Sequence, residues 1–405
     1  MTTPPLRFLQ ASDLHLGGRA WPGGFALDPE AAAARRRELE AVPGRLAELA
    51  RAEGAEVVLL PGDLFDRETT PPEVVNALAG ALESLAPTPV FIAPGNHDAA
   101  TAASPYAAAA SLGVRPWPSN VTIFREPDFA VRPHPLRRDV SVTGHAFLTN
   151  TPATERRLAE PIPKGGTPIT LLCLHGSLLE SAPAAGKITL PFSREELLRQ
   201  GFSYAALGHY HAAGTVLDAA SAVRAAYGGR PFAAELGAPP GDASAGACLV
   251  GTVAPAGATI EKRVRLDERR AYALPVECGE VDTPGALREA ALAALAAAGG
   301  GGADLVRFRL RGTHAPGWTP RLDLPPGSCF AWTAEQADLR PGYDLDALRA
   351  AADTEAASVE SRFVRAVDER LAAATDPGER AALRDALACG LDALNGFLPE
   401  ARDAD

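Results

Sequence analysis

Methionine occurs once, at Met1, and lysine is scarce, while alanine, glycine, proline and arginine are heavily used. That imbalance is a coding bias rather than a structural message. Cysteine is limited to Cys173, Cys248, Cys278, Cys329 and Cys389, an odd number with no C-x-x-C pair. A disulfide framework or a zinc ribbon is thereby excluded, and buried thiols in a reducing compartment fit better. No apolar run reaches the roughly 18 residues of a membrane span. The alanine run around 286–298 comes nearest, but Arg288, Glu289 and the following glycines interrupt it. The N-terminus lacks the basic region and apolar run of a signal peptide, so a cytoplasmic location, away from any membrane, is the expectation. Positive charge is also in deficit: 39 basic against 50 acidic residues give a net charge of −11. A chain that is basic all over is excluded, and any nucleic-acid function needs a local basic groove, bound metal or a partner.

What is present suits a globular protein of two domains, 405 residues long and 46% hydrophobic. The first two-thirds alternates short apolar runs with helical patterns. Strands are expected at Leu6–Ala11, Val57–Leu60, Val90–Ala93, Ile169–Leu174 and Tyr204–Leu207. Helices are expected from Asp28-Pro29 to about Ala52, with a break at Pro43, and from Thr70 to Ala86; a capping box, Ser193 to Glu196, opens a short third one. This is the rhythm of a sheet with crossover helices, whose strand ends converge on one crevice. After about residue 265 the pattern becomes a small α+β unit, and from about Asp344 it is helical.

Each expected strand runs into a polar cluster: Asp13-x-His15, Gly62-Asp63, Asn96-His97-Asp98, His175 and His209-x-His211. Singly, each has an ordinary reading as a turn, a cap or a core histidine. Together they absorb five of the eight histidines, all just past strand ends, leaving out His134, His145 and His314. Carboxylates, an amide oxygen and imidazoles are the ligand types that hold a pair of divalent cations about 3.5–4 Å apart. Glycines precede Asp63, Asn96 and His209, as tight turns beside a crowded site require.

The ordered motifs D-x-H, G-D, G-N-H-D, H and G-H-x-H resemble those of the calcineurin-like metallophosphoesterases over about residues 6–230. The resemblance implies an α/β four-layer sandwich of two mixed sheets flanked by helices. It implies two metals: Asp13, His15, Asp63 and His211 hold one, and Asp63, Asn96, His175 and His209 the other, with Asp63 bridging. His97 faces the scissile phosphate, and Asp98 orients His97 by accepting its other ring proton. Asp13-Leu14-His15-Leu16-Gly17, Gly62-Asp63-Leu64-Phe65-Asp66 and Leu174-His175-Gly176-Ser177 look like the DNA-repair exonuclease branch, of the SbcD and YhaO type. That branch implies a manganese-dependent nuclease, in which a metal-bound hydroxide attacks the DNA phosphodiester in line; zinc or iron stays open as the metal, and a small phosphodiester, nucleotide or phosphoprotein as the substrate. It also implies a phosphoesterase domain at 1–265, a cap at 266–340 and a helical region at 341–405 that docks an SMC-like coiled-coil ATPase, with homodimerisation plausible by the same resemblance. Asp66 stands where archaeal and eukaryotic relatives carry histidine, and Tyr227-Gly228-Gly229-Arg230 replaces their Tyr-Pro-Gly-Ser-like turn. Arg230, Lys262, Arg263 and Arg265 read as ordinary solvated charges rather than as a basic strip.

Overall fold

The computed structural model describes residues 3–67, 69–107, 113–151, 153–182, 188–279, 281–316, 318–354 and 357–396. The end of the expected helical region, 397–405, lies outside them. Two compact units are formed, Met1–Tyr272 with Ala303–Leu305, and Ala273–Gly302 with Val306–Asp405.

In the first unit the strands are β1 Leu6–Gln10, β2 Val57–Leu60, β3 Val90–Ile92, β4 Val121–Ile123, β5 Ala130–His134, β6 Arg137–Gly144, β7 Ile169–His175, β8 Tyr204–Gly208, β9 Gly214–Leu217, β10 Val223–Tyr227, β11 Cys248–Ala254 and β12 Gly257–Val264. Its helices are α1 Pro29–Glu40, α2 Val42–Ala52, α3 Pro72–Glu83 and α4 Arg194–Arg199. Asp28 caps α1 by accepting from the Ala31 N–H, with Pro29 at the first turn where no donor is needed. The expected break falls at Ala41, two residues before Pro43, because proline is tolerated inside the first turn of α2. Ser193 and Glu196 make the reciprocal capping box of α4.

The strands form one hydrogen-bonded path, β4-β3-β2-β1-β11-β12-β10-β8-β7-β6-β5, with β9 on β10. Neighbours are parallel from β1 to β4 and from β6 through β8 to β10. The antiparallel pair β11 and β12 joins these halves, meeting β10 at Val223 opposite Ala258. The path curls, so that Phe8, Leu59 and Phe91 of one half pack in one core with Val142, Leu171 and Tyr204 of the other. Outside the first half, Leu9, Val58 and Ile92 pack with Leu46, Val75 and Leu82 of the helices. Outside the second, Leu172, Leu174 and Leu207 pack with Leu158, Phe192 and Leu197. The expected four layers are therefore present, with the two sheets continuous through β11–β12. Gln10 crosses between the halves: its Nε2 donates to the Leu207 and Ala226 carbonyls at 3.1 and 2.8 Å, and its Oε1 accepts from the Tyr204 hydroxyl at 2.6 Å.

The second unit carries a sheet of β13 Ala271–Glu277, β14 Leu305–His314 and β15 Ala331–Pro341, in that order. Helix α5, Pro284–Ala297, buries Leu287, Ala291 and Leu295, four residues apart on one face. Helices α6 Leu345–Ala351, α7 Val359–Ala373 and α8 Pro377–Leu394 follow, with Val364, Val367, Leu387 and Leu391 as their shared core. No helix among the described residues is long and apolar enough to cross a membrane.

The three histidines outside the motifs behave as core or loop residues. His134 faces the Glu56 carbonyl at 3.1 Å and His314 the Ala315 carbonyl at 2.9 Å. His145 lies between Phe129 and Phe147, with ring centroids 4.9 and 5.5 Å away. Burial pushes its pKa down to about 4. An unfolded chain, with an ordinary histidine pKa near ~6.5, binds a proton through the interval that the folded chain refuses. Stability from this residue is present above about pH 6.5 and is lost as pH falls toward 4, by on the order of 3 kcal/mol. His145→Phe is expected to flatten the acid side of the stability profile, measured by urea unfolding at pH 7 and pH 4.5. An unchanged acid loss in the variant would show that His145 is not its source.

Candidate metal centre

The carboxyl ends of β1, β2, β3, β7 and β8 bring the motif residues to one edge of the curled sheet. Reaching it costs backbone strain: Asp13, His15, Asp63 and His209 have φ of 56°, 43°, 50° and 112°. Non-glycine residues hold such angles only where the surroundings over-determine them, as at functional sites. Two glycines allow the close approach. A Cβ at Gly95 would stand 2.2 Å from Asp63 Oδ1, and one at Gly208 would stand 1.9 Å from the Pro61 carbonyl oxygen.

Within this edge, ligand atoms of Asp13, His15 and His211 all lie within 4.8 Å of one another, and so do those of Asp13, Asp63 and His175. Asp63 Oδ2 lies between two imidazoles, 3.6 Å from His15 Nε2 and 3.3 Å from His175 Nε2. His15 Nε2 and His211 Nε2 face each other at 3.1 Å, and His175 Nε2 faces Asn96 Oδ1 at 3.1 Å. Adjacent ligand atoms around one octahedral ion stand on the order of 3 Å apart, so these spacings suit a shared cation. His209 is held by its backbone N–H to Asp13 Oδ1 at 3.0 Å, and its ring stands edge-on to His175 at 5.2 Å. Asp13, His15, Asp63, Asn96, His175 and His211 are drawn together at this edge.

The protons are short. His175 Nδ1 lies 3.0 Å from the Pro61 carbonyl, which can only accept, so in the neutral ring Nε2 is a bare lone pair facing two further acceptors. Such convergence of acceptors favours a cation. Burial works against a charged His175 ring, but the charge of Asp63 outweighs it and holds the His175 pKa up at about 9. Burial likewise opposes the Asp63 carboxylate, yet His175, His15 and His97 pull its pKa well below the usual range.

His97 is exposed at the rim, its ring edge-on to His15 at 4.7 Å. The expected partnership with Asp98 is not what the structure has. His97 Nδ1 meets the Asp66 carbonyl at 3.2 Å. The Asp98 carboxylate turns inward instead, accepting from the N–H groups of Asp63 (3.2 Å), Leu64 (2.7 Å), Phe65 (3.3 Å) and Gly95 (2.7 Å) and from the Tyr106 hydroxyl (2.5 Å). Those donors are orphans of the two ligand-bearing turns, and a buried carboxylate satisfies them all at once. Burial, with Asp63 beside it, pushes the Asp98 pKa up. Asp98 therefore builds the site rather than steering His97.

Residues outside the motifs complete the centre. Asp66 Oδ1 stands 3.5 Å from His15 Nδ1, and Glu235 Oε2 stands 2.7 Å from His211 Nδ1. Arg230 donates to Glu235 Oε1 at 2.9 Å and is only 7% exposed. Arg265 is also mostly buried, on Asp267 at 2.9 Å, whereas Lys262 is exposed beside Glu53. Two of the four basic residues expected in solvent are thus interior. A pocket of about 650 Å³ opens from the centre, lined by His97, His209, Tyr210, His211, Phe232 and Glu235 among others. Glu235 carries no sequence signal, because it lies in an irregular loop with no period to read.

Residues 6–213 match the calcineurin-like phosphoesterase family. The chain belongs to that family. The match covers a little over half of the 405 residues and ends just beyond His211. Among curated proteins, this phosphoesterase is similar to the uncharacterized metallophosphoesterase YhaO of Bacillus subtilis (strain 168), with 30% identity over 220 residues, 51% of this chain and 48% of that protein. The chain thus spans about half the length of that relative. Calcineurin-like phosphoesterases use divalent metals, and the proton-poor donor set described above fits one.

Asp98→Asn replaces acceptor oxygen with an N–H₂ group against backbone donors. The variant is expected to lose about 2–4 kcal/mol of stability, read by urea unfolding, and to bind Mn2+ more weakly by calorimetry. Wild-type stability with lost activity alone would return Asp98 to a role on His97.

Proposed function

We propose that this phosphoesterase is a two-metal, manganese-dependent nuclease that hydrolyses DNA phosphodiesters, exonucleolytically on duplex and endonucleolytically on single strands. The observation that carries the phosphoester chemistry is the convergence of buried acceptors on a cation-demanding edge with one exposed imidazole, His97, beside it. Bound divalent ions would supply the charge that offsets phosphoryl oxygens and would acidify water. Manganese suits a mixed imidazole, carboxylate and amide set. Asp13, His15, Asp63 and His211 would hold one ion, and Asp63, Asn96, His175 and His209 the other. His97 keeps its Nδ1 on the Asp66 carbonyl, which leaves Nε2 to meet a substrate. In its protonated form that atom donates to the leaving oxygen. The DNA step rests on the wording of the motifs around Asp13, Asp63 and His175. In the same reading residues 266–340 guide DNA, the helices from 341 onward dock an SMC-like coiled-coil ATPase, and the enzyme works in the cytoplasm as a homodimer.

A second reading keeps the centre and takes a small phosphodiester or nucleotide. The pocket agrees with it, since about 650 Å³ has room for a single nucleotide. Digestion of linear duplex DNA against hydrolysis of a chromogenic phosphodiester, each with Mn2+ and with chelator, separates the two. Metal-dependent shortening of duplex is expected, and His97→Ala should slow it by about 10²–10⁴-fold. Turnover of the chromogenic ester with intact DNA would sink the nuclease reading; equal cleavage by the variant would remove His97 from the chemistry.

A further inference from the structure

The three best-defined imidazoles of the centre are backed in two different ways. His15 has the Asp66 carboxylate 3.5 Å from its Nδ1, and His211 has the Glu235 carboxylate 2.7 Å from its own. His175 has the neutral Pro61 carbonyl there, at 3.0 Å. Both carboxylate-backed rings belong to one cluster on Asp13, while the carbonyl-backed ring belongs to a second cluster, which shares Asp13 but adds Asp63, and it faces Asn96.

Glu235 is not a stray surface acid, although its side chain is 55% exposed. The buried Arg230 guanidinium grips its other oxygen at 2.9 Å, reaches the Leu14 carbonyl at 3.4 Å and lies over the Phe232 ring at 5.1 Å. Between Arg230 and Glu235 the chain is pinned at Ala233, whose N–H donates to Asp267 at 2.9 Å and whose carbonyl accepts from the fully buried Arg35 at 2.5 Å. The loop therefore delivers a carboxylate to His211 in a fixed place. A carboxylate on the distal nitrogen fixes the tautomer and makes the metal-facing nitrogen more basic than a carbonyl does.

We propose that Glu235, held by Arg230, and Asp66 are positioning residues that make the two metal positions unequal. The position served by His15 and His211 fills first and holds its ion more tightly than the one served by His175. This inference rests on the two-metal reading of the site.

The test is calorimetric titration of the metal-stripped full chain with Mn2+, paired with visible absorption of the first Co2+ equivalent. Wild type is expected to bind two equivalents in separate steps. Glu235→Gln, which keeps size and one acceptor oxygen but removes charge, should weaken the tighter step by about 10–100-fold and leave the other unchanged. Its first-equivalent Co2+ spectrum should shift, and Glu235→Asp should recover part of the affinity, which a merely structural role would not produce. Asp66→Asn should act on the same step through His15. Two equal steps in wild type, or variants that weaken both steps alike or neither, would overturn the inequality. Failure of wild type to bind any metal would overturn the two-metal reading itself.

Discussion

Lone pairs that face one another across about 3 Å repel unless something positive stands between them, and the centre of this protein is built on that repulsion. His175 Nε2 faces both Asn96 Oδ1 and Asp63 Oδ2, an unfavourable set of contacts for a neutral ring, and His15 faces His211 and Asp63 at 3.1 and 3.6 Å. Strained backbone at Asp13, His15, Asp63 and His209 adds to the cost. The surrounding structure must over-determine the arrangement, and much of its buried polarity serves that end. Asp98 gathers four backbone donors from the two turns that carry Asp63 and Asn96, and Tyr106 closes that node from the other side. Gln10, buried on β1, ties the first half of the sheet to β8 and β10. Polar groups of this kind specify a single geometry because every alternative leaves one of them unpaired in a dry interior.

How much of this could be read in advance follows from the range of each interaction. Caps are local, so Asp28-Pro29 and Ser193 to Glu196 announced their helices and the structure agrees. Strand ends were legible because the buried runs Val57–Leu60 and Tyr204–Gly208 are apolar and their successors are not. The start of α3 differs from the expected Thr70: the Thr70 hydroxyl turns back to the Arg67 carbonyl, and the helix begins at Pro72. The continuity of the two sheets was invisible, since it depends on a pairing between Val223 and Ala258 that neither segment advertises.

The site shows the same division. The motif residues meet at one edge because polar groups at parallel strand ends converge there. At Asp98 the sequence neighbour is not the partner: a carboxylate next to a histidine in sequence need not share its direction, and two turns full of orphan N–H groups outbid one ring nitrogen. Glu235 and Arg230 reach the centre from a loop that no periodicity describes, and Arg230 is buried on Glu235 rather than solvated.

The curl of the sheet has a consequence for how the protein comes apart. Asp13, His15, Asp63 and Asn96 hang from one parallel half, and His175, His209 and His211 hang from the other. The expected ligands therefore span a seam, and bound ions would act as rivets across it. Opening the seam would expose the shared core of Phe8, Phe91, Leu171 and Tyr204 and dismantle the centre in the same motion. For such an architecture, occupancy of the centre and cohesion of the sandwich are one equilibrium. By mass action, a bound divalent ion would then stabilise the sandwich as well as serve its chemistry.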